Sequence, residues 1–225
     1  MKPTLIFDYD GTIHDTLHIY EPVMRDTYHW LAQAGHVKEE PLSSARIAGW
    51  LGLNAREMWE DFQPRLAEEM KEQAAKRNGD GMVARVRAHE ARWYANAKST
   101  LNLLKQNGYP MIVLSNCKIG YREAHWEEFG MDRWFDRFYD CESYGFAPKT
   151  QIIKEILPEY GAPYVVIGDR EKDLACARAV GAAFVGCLYG YGSREELTGA
   201  DALIRDIGEL PEVLKELEAY SRSLI

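Results

Sequence analysis

Three short apolar runs, each closing on a residue able to do chemistry, set the strongest limit on how this chain folds. Thr4–Phe7 runs into Asp8, residues 111–114 into Ser115, and residues 164–167 into Gly168 and Asp169. Continuous apolar runs this short, bounded by polar residues, read as strands covered on both faces, as in parallel sheets. Residues 183–188 and Ala202–Ile204 supply two more candidates, and helical patterns separate the runs from Ser115 onward. That alternation implies an α/β fold, a doubly wound (Rossmann-like) parallel sheet. Such sheets bind ligands beyond the carboxyl ends of their strands, so Asp8, Ser115 and Asp169 are expected to converge there although they are distant in sequence.

Roughly 100 residues separate the first strand from the second, far more than the dozen or so a parallel crossover needs. Only helical patterns fill this gap. Leu17, Tyr20, Met24, Tyr28 and Leu31 recur at helical spacing up to Gly35, and Asn54 with Glu57 reads as a capping box ahead of Met58 and Trp59. Residues 64–77 and 82–97 are expected to form two further helices, separated by Asn78-Gly79-Asp80-Gly81. The expected organisation is a core domain of residues 1–14 and 93–225, with an inserted helical cap domain over 15–92. In the resumed core, a helix is expected from Ser99 to Gln106, closed by Asn107-Gly108, and a last one from Leu210 to about Tyr220.

Composition removes other classes. The 225 residues carry 35 acidic and 27 basic side chains, a formal charge of -8, and no block of like basic residues, which argues against nucleic acid as a partner. No apolar stretch is long enough for a membrane span, and the first run, stopped by Asp8, does not read as a signal peptide. Cys117, Cys141, Cys176 and Cys187 are widely spaced without a C-x-x-C pair, and read as reduced thiols of a cytoplasmic protein. Composition leaves the oligomeric state open between monomer and dimer.

Asp8-Tyr9-Asp10-Gly11-Thr12 puts two carboxylates on one loop at the first strand end. On that segment alone, a solvated acidic turn fits as well as a catalytic one. Asp169 and Asp173 add two more carboxylates at another strand end, the second one helical turn later. Two carboxylates 4 Å apart repel by about 4 kcal/mol at an effective dielectric near 20, so such a cluster calls for a cation beyond one lysine. Oxygen-only ligands, with neither cysteine nor histidine nearby, favour Mg²⁺, which commonly shares its shell with a substrate phosphate. Lys149, in Ala147-Pro148-Lys149-Thr150, offers further positive charge.

These segments together resemble the haloacid dehalogenase-like hydrolase superfamily, in the branch with a helical cap inserted after the first motif. Its four motifs appear in order: Asp8-Tyr9-Asp10-Gly11-Thr12 followed by Asp15-Thr16, then Ser115-Asn116, then Lys149, then Gly168-Asp169 with Asp173. The segments 179–183 and 188–197, the latter containing Gly190 and Gly192, further resemble phosphoglycolate phosphatase-like members. The resemblance implies a Mg²⁺-dependent phosphatase whose partner is a small phosphorylated metabolite, in which Asp8 attacks phosphorus and Asp10 transfers protons. It implies a metal site of Asp8, Asp10 through its main-chain carbonyl, Asp169 and Asp173, with Asp173 in support. Ser115 and Asn116 are then phosphoryl contacts, and Lys149 balances Asp8 and phosphate. Thr150 departs from the proline usual after the lysine.

Arg46, Trp50 and Arg56 are the cap residues expected near substrate, although Trp50 with Trp30, Met58 and Trp59 equally suits the cap's own core. Ser193 and Glu196 read as a capping box before a helix. His14 and His18 are four apart but lack a third ligand, and read as a coincidence. A sugar phosphomutase on the same core, a phosphoacceptor signalling domain and a non-catalytic phosphate-binding protein are the competing functions.

Overall fold

In the computed structural model, which describes residues 2–223, six parallel strands form one sheet: β1 (Thr4–Phe7), β2 (Met111–Ser115), β3 (Arg137–Asp140), β4 (Tyr164–Gly168), β5 (Ala183–Cys187) and β6 (Ala202–Ile204). Their order is β3-β2-β1-β4-β5-β6. Five of the six were legible as apolar runs. The edge strand β3 was not, because four residues bounded by Arg137 and Asp140 carry only two apolar side chains between charges.

Register brings the strand ends together. Phe7 lies opposite both Val113 and Ile167, so the residues that follow β1, β2 and β4 open at one edge. The central strands are buried on both faces, and their alternating side chains enter different cores. Leu5, Phe7, Met111, Val113, Val165 and Ile167 point into one. Ile6, Ile112, Leu114 and Val166 point into the other.

Helices α1 (Leu17–Gln33), α2 (Ser44–Ala48), α3 (Ala55–Phe62) and α4 (Glu68–Arg87) fill the interval between β1 and β2. Met24, Leu31, Ile47, Trp50, Met58, Trp59 and Ala74 form an apolar cluster of their own there. Asn54 and Glu57 close the expected capping box on α3, at 2.9 Å in both directions. The expected break at residues 78–81 is absent: α4 runs straight through Asn78-Gly79-Asp80-Gly81, and neither residues 64–67 nor 88–96 are helical. Packing on α1 overrides the local preference. Gly81 admits Val23 where any larger residue would collide with it, buried Asn78 donates to Met24 Sδ at 3.2 Å, and Lys76 pairs with Asp80 one turn on.

Next come α5 (Ala97–Gln106), α6 (Ile119–Phe129), α7 (Lys149–Ile156), α8 (Glu171–Val180) and α9 (Leu210–Ser223). Leu210 and Leu214 of α9 are wholly buried in the core. Ser193 and Glu196 do form reciprocal capping-box bonds, but turns follow them rather than the expected helix. All four cysteines are buried and free. Among the described residues, no helix is long and apolar enough to cross a membrane.

Candidate active site

Asp8 leaves β1 at the sheet edge and meets Lys149, the first residue of α7, whose Nζ donates to Asp8 Oδ1 at 2.7 Å and to Asp173 Oδ1 at 2.6 Å. Asp173 lies in the first turn of α8 and accepts the Arg170 N–H on its other oxygen, at 3.1 Å. Asp169, at the end of β4, accepts the Tyr191 N–H on Oδ2 at 2.6 Å. Its Oδ1 is buried with no partner. One oxygen from each of Asp8, Asp169 and Asp173 falls within 4.8 Å of the others.

The electrostatics of this group are unbalanced. Burial pushes Asp8 well above the usual carboxylate range, Asp173 adds to the effect, and Lys149 opposes it. Burial, with Asp173, pushes Asp169 up to about 7. Burial works against the Lys149 ammonium, yet Asp173 and Asp8 outweigh it and hold its pKa well above normal. Three carboxylates share one lysine, and a buried oxygen of Asp169 has no hydrogen to accept. This donor set fits a hard divalent cation such as Mg²⁺. With both Asp173 oxygens engaged, Asp8 Oδ2 and Asp169 Oδ1 are the oxygens left to hold the ion, and Asp173 orients Lys149.

Asp10 does not join the acidic group through its carboxylate. Its Oδ1 accepts from Thr16 Oγ1 and Tyr121 OH, both at 2.7 Å, and lies 3.2 Å from His14 Nδ1. Burial alone would raise its pKa, but the hydrogen bonds of His14, Thr16 and Tyr121 and the charge of His14 lower it. His14 is therefore a neighbour of Asp10, while His18, four residues on, is exposed. Behind it, Trp93 Nε1 donates to Tyr9 OH at 3.1 Å, leaving the Tyr9 hydroxyl to donate to His125 Nδ1 at 2.8 Å. Burial, and next His14, hold His125 well below the usual imidazole range. Tyr121 and His125 share a face of α6 at a spacing of four, a signal that was present but had no partner until α6 met the first loop.

Ser115 is buried at the end of β2 and half-buried Asn116 follows it. Beside them, burial pushes the Cys117 thiol up, which suppresses its reactivity. Gly11 adopts φ +84°, and a side chain there would strike the Asp169 carboxylate. Gly192 passes so close to Asp169 that a methyl group would overlap its carbonyl oxygen. The loop glycines thus serve the approach to Asp169.

The three expected cap residues have partners within the helical interval. Trp50 is buried against Phe62 with Nε1 donating to Asp61 Oδ2 at 2.7 Å, exposed Arg46 pairs with the same carboxylate at 3.0 Å, and exposed Arg56 lies near Glu68. At the acidic edge, the interval 17–87 supplies two main-chain carbonyls and one carboxylate. Arg170 donates to Leu51 O, and Lys172 Nζ reaches Gly52 O at 3.4 Å and Glu57 Oε2 at 2.9 Å.

Known proteins resemble this chain in sequence and in fold. A phosphoglycolate phosphatase from Haemophilus influenzae is 27% identical over 143 residues, 55% of this chain and 58% of that enzyme, so the aligned stretch is little more than half of that relative. A 5'-nucleotidase from Pseudomonas aeruginosa is 27% identical over 199 residues, covering 87% of this chain and 86% of its own. The crystal structure of a predicted phosphatase from Clostridium acetobutylicum superposes with a TM-score of 0.79 at 21% identity, over 96% of this chain and 99% of that one, which establishes the shared fold. The model of the haloacid dehalogenase-like hydrolase family matches residues 5–187, from the first strand to the end of β5. With that match spanning the acidic strand ends and the helices between them, this chain belongs to the haloacid dehalogenase-like hydrolases.

Proposed function

We propose that the chain is a Mg²⁺-dependent phosphatase that hydrolyses a small phosphate monoester, phosphoglycolate-like, through an aspartyl-phosphate on Asp8. The observation that carries this reading is Lys149 bridging buried Asp8 and Asp173 beside the unpaired oxygen of Asp169. One carboxylate oxygen of Asp8 attacks phosphorus as the ester P–O bond breaks. Asp10 gives its proton to the departing alkoxide. In the second step it takes a proton from water, whose oxygen bonds to phosphorus while the Asp8–phosphorus bond breaks, releasing phosphate. The three donors on Asp10 Oδ1 favour its carboxylate form, the form the second step uses, and leave Oδ2 for the proton. Ser115 and Asn116 contact the transferring oxygens, and Lys149 offsets their charge. When bound, Mg²⁺ supplies the positive charge that keeps Asp8 and Asp169 ionised and polarises the phosphoryl group. Residues 15–92 act as a cap over a core of 1–14 and 93–225, with Trp50 in the cap's own core and exposed Arg46 and Arg56 as its candidate substrate contacts.

A nucleoside 5'-monophosphate is a second substrate class, favoured by the relative aligned over 87% of the chain. Phosphate release from a panel of phosphoglycolate, sugar phosphates and nucleoside monophosphates, with and without Mg²⁺, tests both. Release that requires Mg²⁺ and vanishes in Asp8→Asn is expected, and the rank order of esters identifies the substrate class. Folded protein that releases phosphate from none of them, or an unchanged Asp8→Asn rate, overturns the reading.

A further inference from the structure

The chain crosses between the sheet and the helices of residues 17–87 twice, and the two crossings meet. His14 and Trp93 form an antiparallel bridge, Tyr94 N–H donates to Ile13 O at 2.9 Å, and Asp15 N–H donates to Arg92 O at 3.0 Å. Helix α1 starts at this junction without a local cap, since the Thr16 hydroxyl is turned to Asp10. The first N–H of the helix, that of Leu17, is instead satisfied by Tyr191 OH at 2.8 Å, from 174 residues away. That hydroxyl also lies near the hydroxyl of Tyr94 on the second crossing. One side chain therefore reaches both crossings.

The backbone of the same residue holds the acidic group, through the Tyr191 N–H on Asp169 Oδ2 at 2.6 Å. The loop has little freedom to let the two contacts vary independently. Gly190 and Gly192 bring it against Asp169 more closely than any side chain allows, and Tyr189 OH is anchored on Thr12 O at 2.8 Å. A change in where Asp169 Oδ2 sits is thus passed to the Tyr191 backbone, and from its ring to the start of α1 and to Tyr94.

We propose that Tyr191 is a positioning residue that couples occupancy of the Asp169 site to the two chain crossings, so that a divalent cation held by Asp8 and Asp169 tightens the junction on which residues 17–87 are carried. The proposal rests on the metal reading above. It assigns to the Tyr191 hydroxyl the transmission and to its N–H the grip on Asp169, and the two are separable: Tyr191→Phe removes the first and keeps the second.

Hydrogen exchange of the full chain, with and without Mg²⁺ alone, reads this directly. In the wild type, Mg²⁺ is expected to slow exchange around residues 168–173 and 189–192, and also at 13–20 and 90–97, by roughly fivefold or more at Leu17, on the scale of one hydrogen bond's net contribution as the existing Leu17–Tyr191 contact opens less often. In Tyr191→Phe, protection around 168–173 should persist, with the Mg²⁺ dissociation constant from calorimetry within about threefold of wild type, because the backbone donor remains. Protection at 13–20 and 90–97 should no longer respond to Mg²⁺. Crossings that respond equally in both proteins, or a wild type in which only 168–173 responds, overturn the coupling. Mg²⁺ that changes exchange nowhere, Asp8 and Asp169 included, overturns the metal reading and the coupling with it.

Discussion

Replacing Lys149 by methionine keeps the length of the side chain and removes the one cation seated between buried Asp8 and Asp173. At 2.7 and 2.6 Å, each lysine–carboxylate attraction amounts to about 6 kcal/mol at an effective dielectric near 20, most of it offset by the desolvation of the charges. The net cost of removing one partner from such a group is roughly 3–5 kcal/mol, because the remaining charges are left uncompensated. For a chain of this size that lowers Tm by about 6–20 °C. The loss should depend on pH in a definite direction. Asp8 and Asp169 titrate above their unfolded values, so their contribution is complete below a pH near 4 and falls as pH rises through the folded pKa, about 7 for Asp169. Lys149 opposes both upward shifts, so its removal enlarges them and steepens the decline. Thermal unfolding of metal-free wild type and Lys149→Met at pH 5 and pH 8 therefore shows a larger deficit at pH 8, and Mg²⁺ restores part of it there. A deficit of equal size at both pH values would mean that Lys149 acts through packing, and the charge argument fails.

Three other perturbations address separate links. Gly192→Ala forces the loop away from the Asp169 carbonyl and breaks the Tyr191 N–H contact, so Mg²⁺ affinity measured by calorimetry should fall about 10- to 100-fold with the far-ultraviolet circular dichroism unchanged; unaltered affinity would separate the loop from the metal site. His125 has a depressed pKa, so its contribution is present above pH ~6.5 and is lost as pH falls, with a slope of up to about 1.4 kcal/mol per pH unit. His125→Gln, which can still accept from Tyr9, should flatten the stability profile between pH 6.5 and 5, and parallel profiles for the two proteins count against this. Asn54→Ala opens the capping box of α3 at a cost of about 1 kcal/mol in urea unfolding; no change in midpoint would show that Glu57, held by Lys172, carries the helix start alone.

The sheet and its acidic edge were legible because their signals are local. A buried parallel strand is a run of four or five apolar residues, and its end is marked by the first residue that cannot stay inside, which is how Asp8, Ser115 and Asp169 declared themselves. The capping box at Asn54 needed only residues three apart. β3 escaped because its two apolar residues are too few to distinguish from a loop, and it is a strand only because β2 offers it an edge.

Tertiary structure decided what lies between distant segments. Asn78-Gly79-Asp80-Gly81 reads as a break on propensity, and it is helical because α1 receives Gly81 and Asn78 along its length. Trp50 had two readings, and burial beside Asp61 and Phe62 places it in the packing of the helical interval. Tyr121 and His125 share no motif with His14, since 107 residues separate His14 from Tyr121, and they reach the first loop only when α6 packs over it. Tyr191 holds Asp169 and Leu17 at once for the same reason. Sequence determines which residues are strands, ends and caps, because those depend on neighbours a few positions away. Which carboxylate is paired, which is left open and which tyrosine joins them depends on contacts between residues 22 to 174 positions apart, and these exist only once the chain has packed.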